Sequence, residues 1–191
     1  MTTKLIAIIP VKSGSTRLPE KNMRYLLGKT LLQRAIDYVR ASKRVKEFYV
    51  STNDKAIAKT SRSLGAQVII RPEQLTGETP LIEVYRHALE ELDLDGIELM
   101  AGVQVDHPDR HISLDDAIDN FEAKQVDRLY SIDGKGGKNG AHLIMKVKSI
   151  LSNHFNDEAA IVDDCTNIHY ESDLVLAEKN LMLRIEESDL G

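Results

Sequence analysis

The sequence contains a single cysteine, no tryptophan and only 5% aromatic residues, and it lacks any long hydrophobic run. Cys165 has no second cysteine with which to form an intramolecular disulfide, and a cysteine-based zinc site is excluded for the same reason. The apolar run at 5–9 is far shorter than the ~20 residues that cross a membrane, and no signal-peptide pattern accompanies it. We therefore expect a cytoplasmic protein that does not associate with a membrane.

Glycine and proline are also scarce, with 11 and 5 among 191 residues, while 42% of the residues are hydrophobic and 29% are charged. This composition excludes disordered, collagenous and low-complexity proteins. The length predicts a single domain over residues 1–191.

The charge is unevenly distributed along the chain. The formal net charge of −5 argues against general nucleic-acid binding, so we expect no nucleic-acid partner. Residues 1–50, however, carry 11 Lys or Arg and only 3 Asp or Glu. A basic region on an acidic chain suggests a local anionic ligand. The alternative is a solvated helix face, which fits the cations at 40–46 better than those at 12–24.

Apolar runs of strand length alternate with segments of helical periodicity. The predicted strands are 5–9, 48–52, 68–70, 97–104, 128–132 and 141–145. The predicted helices are 31–39 after Thr30, about 54–64 after Asn53 or Asp54, 80–92, 113–123 starting at Ser113, and 172–183. This alternation predicts an α/β domain with a mostly parallel sheet and helices on both faces. Ligands of such sheets bind beyond the carboxyl ends of the strands.

The polar segment 10–22 follows the first strand and therefore lies where a ligand is expected. Gly14 lets backbone amides approach an anion. Three hydroxyl side chains and three cations surround it: Ser13, Ser15, Thr16, Lys12, Arg17 and Lys21. The segment matches neither a Walker A loop nor a dinucleotide fingerprint. It predicts a triphosphate cradle, and the alternative is a polar surface loop.

Residues 8–22 resemble the signature of the sugar-acid cytidylyltransferases, which are the acylneuraminate and 3-deoxy-octulosonate CMP-sugar synthetases. The resemblance continues in the same order at 27–31, 50–54, 65–66, 71–75, 78–79, 139–141 and 172–174. It implies a Rossmann-like nucleotidyltransferase (nucleotide-diphospho-sugar transferase) fold. It also implies an enzyme that joins CTP and a small anionic acceptor, with a sugar acid as first expectation, into a CMP conjugate and pyrophosphate. A homodimer is compatible with the resemblance.

The resemblance also assigns roles to individual residues. Lys21, Lys12 and Arg17 would be catalytic, because nucleotidyl transfer needs positioning and charge neutralisation rather than a protein nucleophile. The expected nucleotide-binding residues are Ser13, Gly14, Ser15, Asn22, Arg71 and Gln104. The expected substrate-binding residues are Arg110, Asn139 and Gly140. Asp106 would hold Mg²⁺, and the alternative is that it caps the turn before Pro108.

The chain departs from the family pattern in two places. The family has Asp-x-Asp before its last helix, whereas Asn167 and His169 stand here. Neither is a carboxylate, and His is a poor magnesium ligand. The family segment that builds the sugar pocket and the dimer contact is reduced to 133–138. Two alternatives therefore stay open: a catalytically degenerate nucleotide-binding homologue with a regulatory or partner-binding role, and a nucleotidyltransferase that uses another base.

Overall fold

The computed structural model describes residues 4–77 and 79–189, so Glu78, part of the resemblance at 78–79, lies outside the described residues. The strands are β1 (Lys4–Pro10), β2 (Tyr25–Leu26), β3 (Lys29–Thr30), β4 (Glu47–Thr52), β5 (Gln67–Ile70), β6 (Ile97–Gly102), β7 (Arg128–Ile132), β8 (Lys138–Lys146) and β9 (Glu158–Val162). The helices are α1 (Leu31–Arg40), α2 (Lys55–Ser63), α3 (Leu81–Glu90), α4 (Leu114–Lys124), α5 (Val147–Ser152) and α6 (Glu171–Asp189). In these described ranges, no helix combines the length and the apolar character needed to span a membrane.

Seven of the strands form one sheet in the order β5-β4-β1-β6-β8-β7-β9. β1 pairs in parallel with β4 and β6, β4 with β5, and β7 with β9, whereas β8 runs antiparallel to both of its neighbours. α1, α2 and α4 cover one face of the sheet, and α3 and α5 cover the other. The predicted α/β architecture, with a mostly parallel sheet between two helical layers, is confirmed.

The side chains predicted to cap helices accept hydrogen bonds from amides in the first helical turn. The Thr30 hydroxyl accepts from the amide of Gln33, the Asp54 carboxylate accepts from two amides of α2, and the Ser113 hydroxyl accepts from Asp116. These bonds satisfy amides that the first turn of a helix leaves without partners. Gly65 follows α2 with φ +78°, a conformation that glycine adopts without strain.

Several short elements were not predicted. α5 has six residues, too few to display helical periodicity, and β9 is a five-residue edge strand. The two-residue strands β2 and β3 form a small hairpin. β6 ends at Gly102, so the expected strand 97–104 is two residues too long and Gln104 lies in the following loop.

The sheet topology brings three loops to the same edge. β1, β4, β5 and β6 are mutually parallel, so the segments after Pro10, Ile70 and Gly102 all leave the sheet at its carboxyl edge. The turn between β7 and β8 is tight, since the amide of Asp133 donates to the carbonyl of Gly137 at 2.8 Å. β8 then begins at this same edge.

Candidate functional site

A cleft of about 480 Å³ opens at the carboxyl edge of the sheet. It lies within the usual size range of small-molecule sites, roughly 300–1,000 Å³. The loops after β1, β5 and β6 and the segment before α6 line it with Pro10, Lys12, Gly14, Ser15, Thr16, Arg17, Lys21, Asn22, Arg71, Leu75, Thr76, Gly77, Thr79, Leu81, Val84, Gln104, Val105, Asp106 and His169. Nine of the thirteen residues predicted to form the site are in this set, so the cleft is the candidate site.

The loop after β1 supplies most of the positive charge. Gly14 has φ +74°, which glycine tolerates and which leaves the backbone open to a ligand. The ammonium of Lys12 is 3.3 Å from the carbonyl of Gly77, across the cleft mouth. The Asn22 side chain donates to the carbonyl of Lys12 at 2.7 Å and holds the loop's base. Ser13, predicted to bind the nucleotide, lines a neighbouring depression beside α2 instead of the cleft.

Lys21 is the best-held cation of the loop. Its ammonium is 2.6 Å from Oδ2 of Asp106 and 2.9 Å from the carbonyl of Ile168. Both charged side chains are largely shielded, with 13% of Lys21 and 21% of Asp106 exposed. The amide of Ile168 donates to the carbonyl of Asp106 at 2.9 Å, which ties the loop after β6 to the segment before α6. The ammonium is therefore fixed at the cleft wall, where it can meet an anionic ligand.

Magnesium prefers oxygen ligands and often binds through one or two carboxylates together with substrate phosphates and water. Asp106 is the one acidic side chain among the described residues that line the cleft. No group of three or more His, Cys, Asp or Glu side chains in the described ranges could hold a metal ion. Asp106 is therefore the one carboxylate in the described lining that could give such an ion an oxygen ligand.

His169 lines the same wall as Asp106. Burial, together with the nearby Arg17 and Lys21, lowers the pKa of His169, so its imidazole is neutral at pH 7. Asn167, two residues earlier, has a buried side-chain oxygen with no hydrogen-bond partner among the described residues. Neither residue replaces the negative charge that the family pattern places in this segment.

Arg71 and Gln104 also line the cleft, after β5 and β6. Arg71 is buried, and its Nη2 donates to the carbonyl of Val11 at 2.8 Å, which fixes the guanidinium between the ends of β1 and β5. Gln104 lines the cleft with its carboxamide, and its Nε2 donates to the carbonyl of Gly140 at 3.2 Å. Both residues line the cleft, and their nucleotide-binding role stays a prediction.

The three residues predicted to bind the acceptor do not line the cleft. Arg110 lies beneath the loop after β6, where its guanidinium donates to the carbonyls of Gln104, His107 and Ala141 and stacks 4.8 Å from the ring of Tyr38. The geometry therefore does not support direct substrate contact by Arg110, because protein carbonyls occupy its donors.

Asn139 and Gly140 are likewise engaged with the protein. The side-chain amide of Asn139 donates to the carbonyl of Asp163 at 2.6 Å, and its oxygen accepts from Ser131 and Ala141. Gly140 contacts Gln104 rather than the cleft itself. Both residues hold other parts of the protein in place, and their predicted substrate contacts stay a prediction.

In the segment after β5, Arg71 was the one residue predicted to form the site, and the other residues that line the cleft from this segment were not. Leu75, Thr76, Gly77 and Thr79 line the cleft opposite the loop after β1. The hydroxyl of Thr79 donates to the carbonyl of Thr76 at 2.9 Å, which folds this segment back on itself. The available signal was positional, because these residues follow a predicted parallel strand whose end lies at the ligand edge.

A buried polar network supports the loop after β6 from below. Nε2 of His142 is 2.6 Å from Oδ2 of Asp163, and Tyr38 reaches Nδ1 of the same ring at 3.2 Å. Burial raises the pKa of Asp163, but the hydrogen bonds from His142 and from the amides of His111 and Ile112 outweigh it and lower the pKa to about 2. The Asp163 carboxylate therefore stays ionised and anchors the chain at 111–112.

The sequence is similar to that of known cytidylyltransferases. The family model described as "Cytidylyltransferase" matches residues 6–180. A 3-deoxy-manno-octulosonate cytidylyltransferase of Protochlamydia amoebophila is 36% identical over 105 residues, covering 51% of this chain and 40% of that protein. An N-acylneuraminate cytidylyltransferase of Escherichia coli is 38% identical over 90 residues, covering 47% of this chain and 22% of that protein. The matched part of the chain thus spans less than half the length of these curated relatives.

Solved structures agree on the fold. A CMP:2-keto-3-deoxy-manno-octonic acid synthetase complexed with CTP has a TM-score of 0.71 at 11% identity and covers 96% of this chain and 99% of that one. A 4-diphosphocytidyl-2C-methyl-D-erythritol synthase of Anaerococcus prevotii has a TM-score of 0.69 at 13% identity, covering 95% and 100%. At these identities the likeness concerns the fold, and it confirms the expected nucleotidyltransferase architecture.

Proposed function

The chain belongs to the cytidylyltransferase family, and we propose that it joins CTP and an anionic sugar acid, or a similar small anionic acceptor, into a CMP conjugate with release of pyrophosphate. The observation that carries the proposal is the cleft at the carboxyl edge of the sheet. It combines three cations of one loop, Lys12, Arg17 and Lys21, with the carboxamide of Gln104 from the loop after β6. Charge for a triphosphate and hydrogen-bonding groups for a base thus face one cavity.

The proposed reaction needs no protein nucleophile. An oxygen of the acceptor attacks the α-phosphorus of CTP, the bond to the bridging oxygen breaks, and pyrophosphate leaves with the electron pair. Lys21, held by Asp106 and Ile168, would neutralise charge on the phosphates, while Lys12 and Arg17 would bind them from the more exposed side. Pre-positioned charge of this kind lowers the barrier because it needs no reorganisation during the reaction.

Asp106 would hold a magnesium ion, which when bound supplies further charge neutralisation at the phosphates. The backbone at Gly14 and the hydroxyl of Ser15 would bind phosphate oxygens from the loop after β1. Asn22 would act by holding that loop, since its side chain is bonded to the carbonyl of Lys12. Arg71 and Gln104 would meet the nucleoside.

Pyrophosphate release tests this proposal directly. The full chain is incubated with CTP, magnesium and a panel of sugar acids and other small anionic acceptors, and pyrophosphate is measured with a coupled assay. We expect release that depends on both CTP and one acceptor, and we expect Lys21→Ala to abolish it. A CMP conjugate identified by mass spectrometry would name the acceptor. Turnover that is unchanged in Lys21→Ala would exclude the mechanism.

A second candidate function is a nucleotide-binding homologue without transferase activity. The observation that favours it is the single carboxylate at the cleft, with Asn167 and His169 in the segment where the family has aspartates. This candidate predicts CTP binding without pyrophosphate release across the whole acceptor panel. The same assay, combined with a binding measurement, therefore separates the two functions.

A further inference from the structure

α6 carries apolar side chains on two opposite faces. On one face, Leu174, Ala177 and Leu181 pack in a cluster with residues of the loop after β1, of the β2–β3 hairpin and of α1. The opposite face carries four apolar side chains at helical spacing, each 47–62% exposed: Val175, Leu176, Met182 and Leu183. A helix on the surface of a globular domain normally has a single apolar face, which packs on the core. The second face therefore indicates a contact with another molecule.

Exposed apolar side chains are concentrated on this helix. In the described ranges, five of the eleven large hydrophobic side chains that are exposed lie on α6. Single exposed apolar residues are normal on a protein surface, whereas a contiguous group marks an interaction site. We define the outer face of α6 by its six exposed residues at helical spacing: Val175, Leu176, Lys179, Met182, Leu183 and Glu186.

Two charges of opposite sign lie along the midline of the outer face. Lys179 and Glu186 are seven residues apart, which is about two helical turns, so their side chains leave the helix in nearly the same direction. Both are exposed, and neither side chain has an ion pair or a hydrogen bond with another described residue. The four apolar side chains flank this midline on both sides.

This order of charges makes the outer face complementary to itself when two copies pack antiparallel. In a two-fold contact, residue i of one copy faces residue j of the other, and j faces i. Placing Lys179 opposite Glu186 of the second copy therefore forms the same ion pair twice. The axis of this register passes between positions 182 and 183, so Met182 and Leu183 of both copies meet there. A parallel pair would instead oppose lysine to lysine and glutamate to glutamate, which repel.

We propose that the outer face of α6 is a homodimer interface, in which two α6 helices pack antiparallel around Met182 and Leu183. A contact between two single helices is at the small end of protein interfaces, so we expect a dissociation constant on the order of 10 μM. The residues of the outer face are not among those that line the cleft. The inference therefore goes beyond the proposed function and does not depend on it.

Sedimentation equilibrium of the full chain, between about 1 and 200 μM, tests the proposal. We expect the wild-type chain to change from monomer to dimer over this range. Lys179→Glu and Glu186→Lys should each weaken the dimer by about tenfold or more, because each replaces two ion pairs with two repulsive contacts. The double variant reverses both charges and restores the attraction, so its dissociation constant should return to within about threefold of wild type.

Lys59→Glu is the matched control. Lys59 is an exposed lysine within α2, and its side chain has no ion pair with another described residue, so the variant changes the net charge equally at a distant helix. It should leave the dissociation constant unchanged. Thermal unfolding of each variant verifies that the fold is intact. A chain that stays monomeric up to 200 μM, or a dimer that Lys179→Glu does not weaken, would overturn the proposal. A double variant that fails to recover would overturn the antiparallel register.

Cysteine cross-linking tests the register without changing a charge. The native Cys165 is buried, so a cysteine introduced on the outer face is the accessible one. In the proposed register, positions 183 of the two copies meet at the axis, whereas positions 175 lie about 22 Å apart along the helices. Mild oxidation with copper phenanthroline should therefore link Leu183→Cys and leave Val175→Cys monomeric, since a disulfide requires close Cα atoms. Cross-linking of Val175→Cys equal to or greater than that of Leu183→Cys would overturn the proposed contact.

Discussion

The two ends of the cleft are built differently. One end, which we call the phosphate end after its proposed ligand group, carries Lys12 and Arg17 on an exposed loop. At the other, which we call the base end for the same reason, Gln104 is held by Gly140 and by the guanidinium of Arg110, which is itself bonded only to carbonyls in the described contacts. Affinity for a polyanion can come from mobile surface charge, whereas discrimination between similar bases requires an acceptor in one fixed position. We therefore expect the first end to contribute mainly affinity and the second mainly selectivity.

The base end depends on a long-range buried network. Asp109, fully buried, accepts from the amide and hydroxyl of Thr166 and from the side chain of Asn180 at 2.7–2.9 Å. Arg184 of α6 donates to the carbonyls of Asp109 and Arg110 at 2.6 and 2.7 Å. α6 therefore supports the loop after β6 from outside the cleft.

Lys21 is the least exposed of the three cations of the loop after β1, and its removal should have the largest effect on binding. Lys21→Ala removes an ammonium that is largely shielded from solvent, so we expect the affinity for CTP to fall by about hundredfold, the loss of a charged hydrogen bond. Lys29→Ala is the control, because Lys29 pairs with Asp37 on an exposed surface. Titration calorimetry measures both, and a loss below about threefold in Lys21→Ala would contradict a phosphate contact.

Asp109→Ala should show that the buried hydrogen-bond network, and not merely the presence of a carboxylate, stabilises the fold. It leaves three donors at the base end without their acceptor, and we expect the free energy of unfolding to fall by about 3 kcal/mol. Asp119→Ala on α4 removes an exposed carboxylate that pairs with Arg44, and its effect should stay within about 0.5 kcal/mol. Urea unfolding compares the variants. Equal effects would mean that the network does not stabilise the base end.

The loss of folding stability at low pH should also arise from a residue near the base end, Asp163. The pKa of Asp163 is lowered to about 2, so its contribution to stability is complete above its unfolded pKa and is lost as the pH falls toward 2. We expect this carboxylate to account for about 2 kcal/mol between pH 5 and pH 2. Unfolding measured across this interval should show a shallower pH dependence in Asp163→Asn than in the wild-type chain. Parallel curves would show that Asp163 does not have a depressed pKa.

Arg17→Ala should have the smallest effect. Arg17 is exposed and lies 6.0 Å from the ring of Tyr170, so solvent screens its charge. We expect a loss of CTP affinity of about threefold to fivefold at low salt and almost none at high salt. Titrations at two ionic strengths measure the difference. A large loss that persists in high salt would show that the phosphate end is as rigidly organised as the base end.

The sequence predicted the phosphate end better than the base end. Segment 10–22 is contiguous, and its cations, hydroxyls and glycine could be recognised before the fold was known. The base end is assembled from residues far apart in the chain, such as Arg110 with Ala141 and Asn139 with Asp163. Residue type alone does not reveal whether an arginine or asparagine bonds a ligand or the protein, so the sequence did not indicate that Arg110, Asn139 and Gly140 bond the protein outside the cleft lining.

The helices and strands were likewise predicted where a local sequence signal was present and missed where it was absent. α1, α2 and α4 were predicted because apolar periodicity and a capping side chain coincided at each start. α5 and β9 are short, and they form because neighbouring elements cover them rather than because of a local signal. The register shift between β7 and β8, at Tyr130 and Ile132, depends on the pairing of the two strands, which no local sequence pattern indicates.

We expect this cleft to bind CTP through the cations of the loop after β1 and the carboxamide of Gln104. The decisive measurement is a calorimetric titration of the wild-type chain with CTP, in the presence and absence of magnesium. Binding should be saturable and should be strengthened by magnesium, as expected if Asp106 contributes to holding the ion. Absence of CTP binding under both conditions would contradict it and would leave the cytidylyltransferase fold without the proposed ligand.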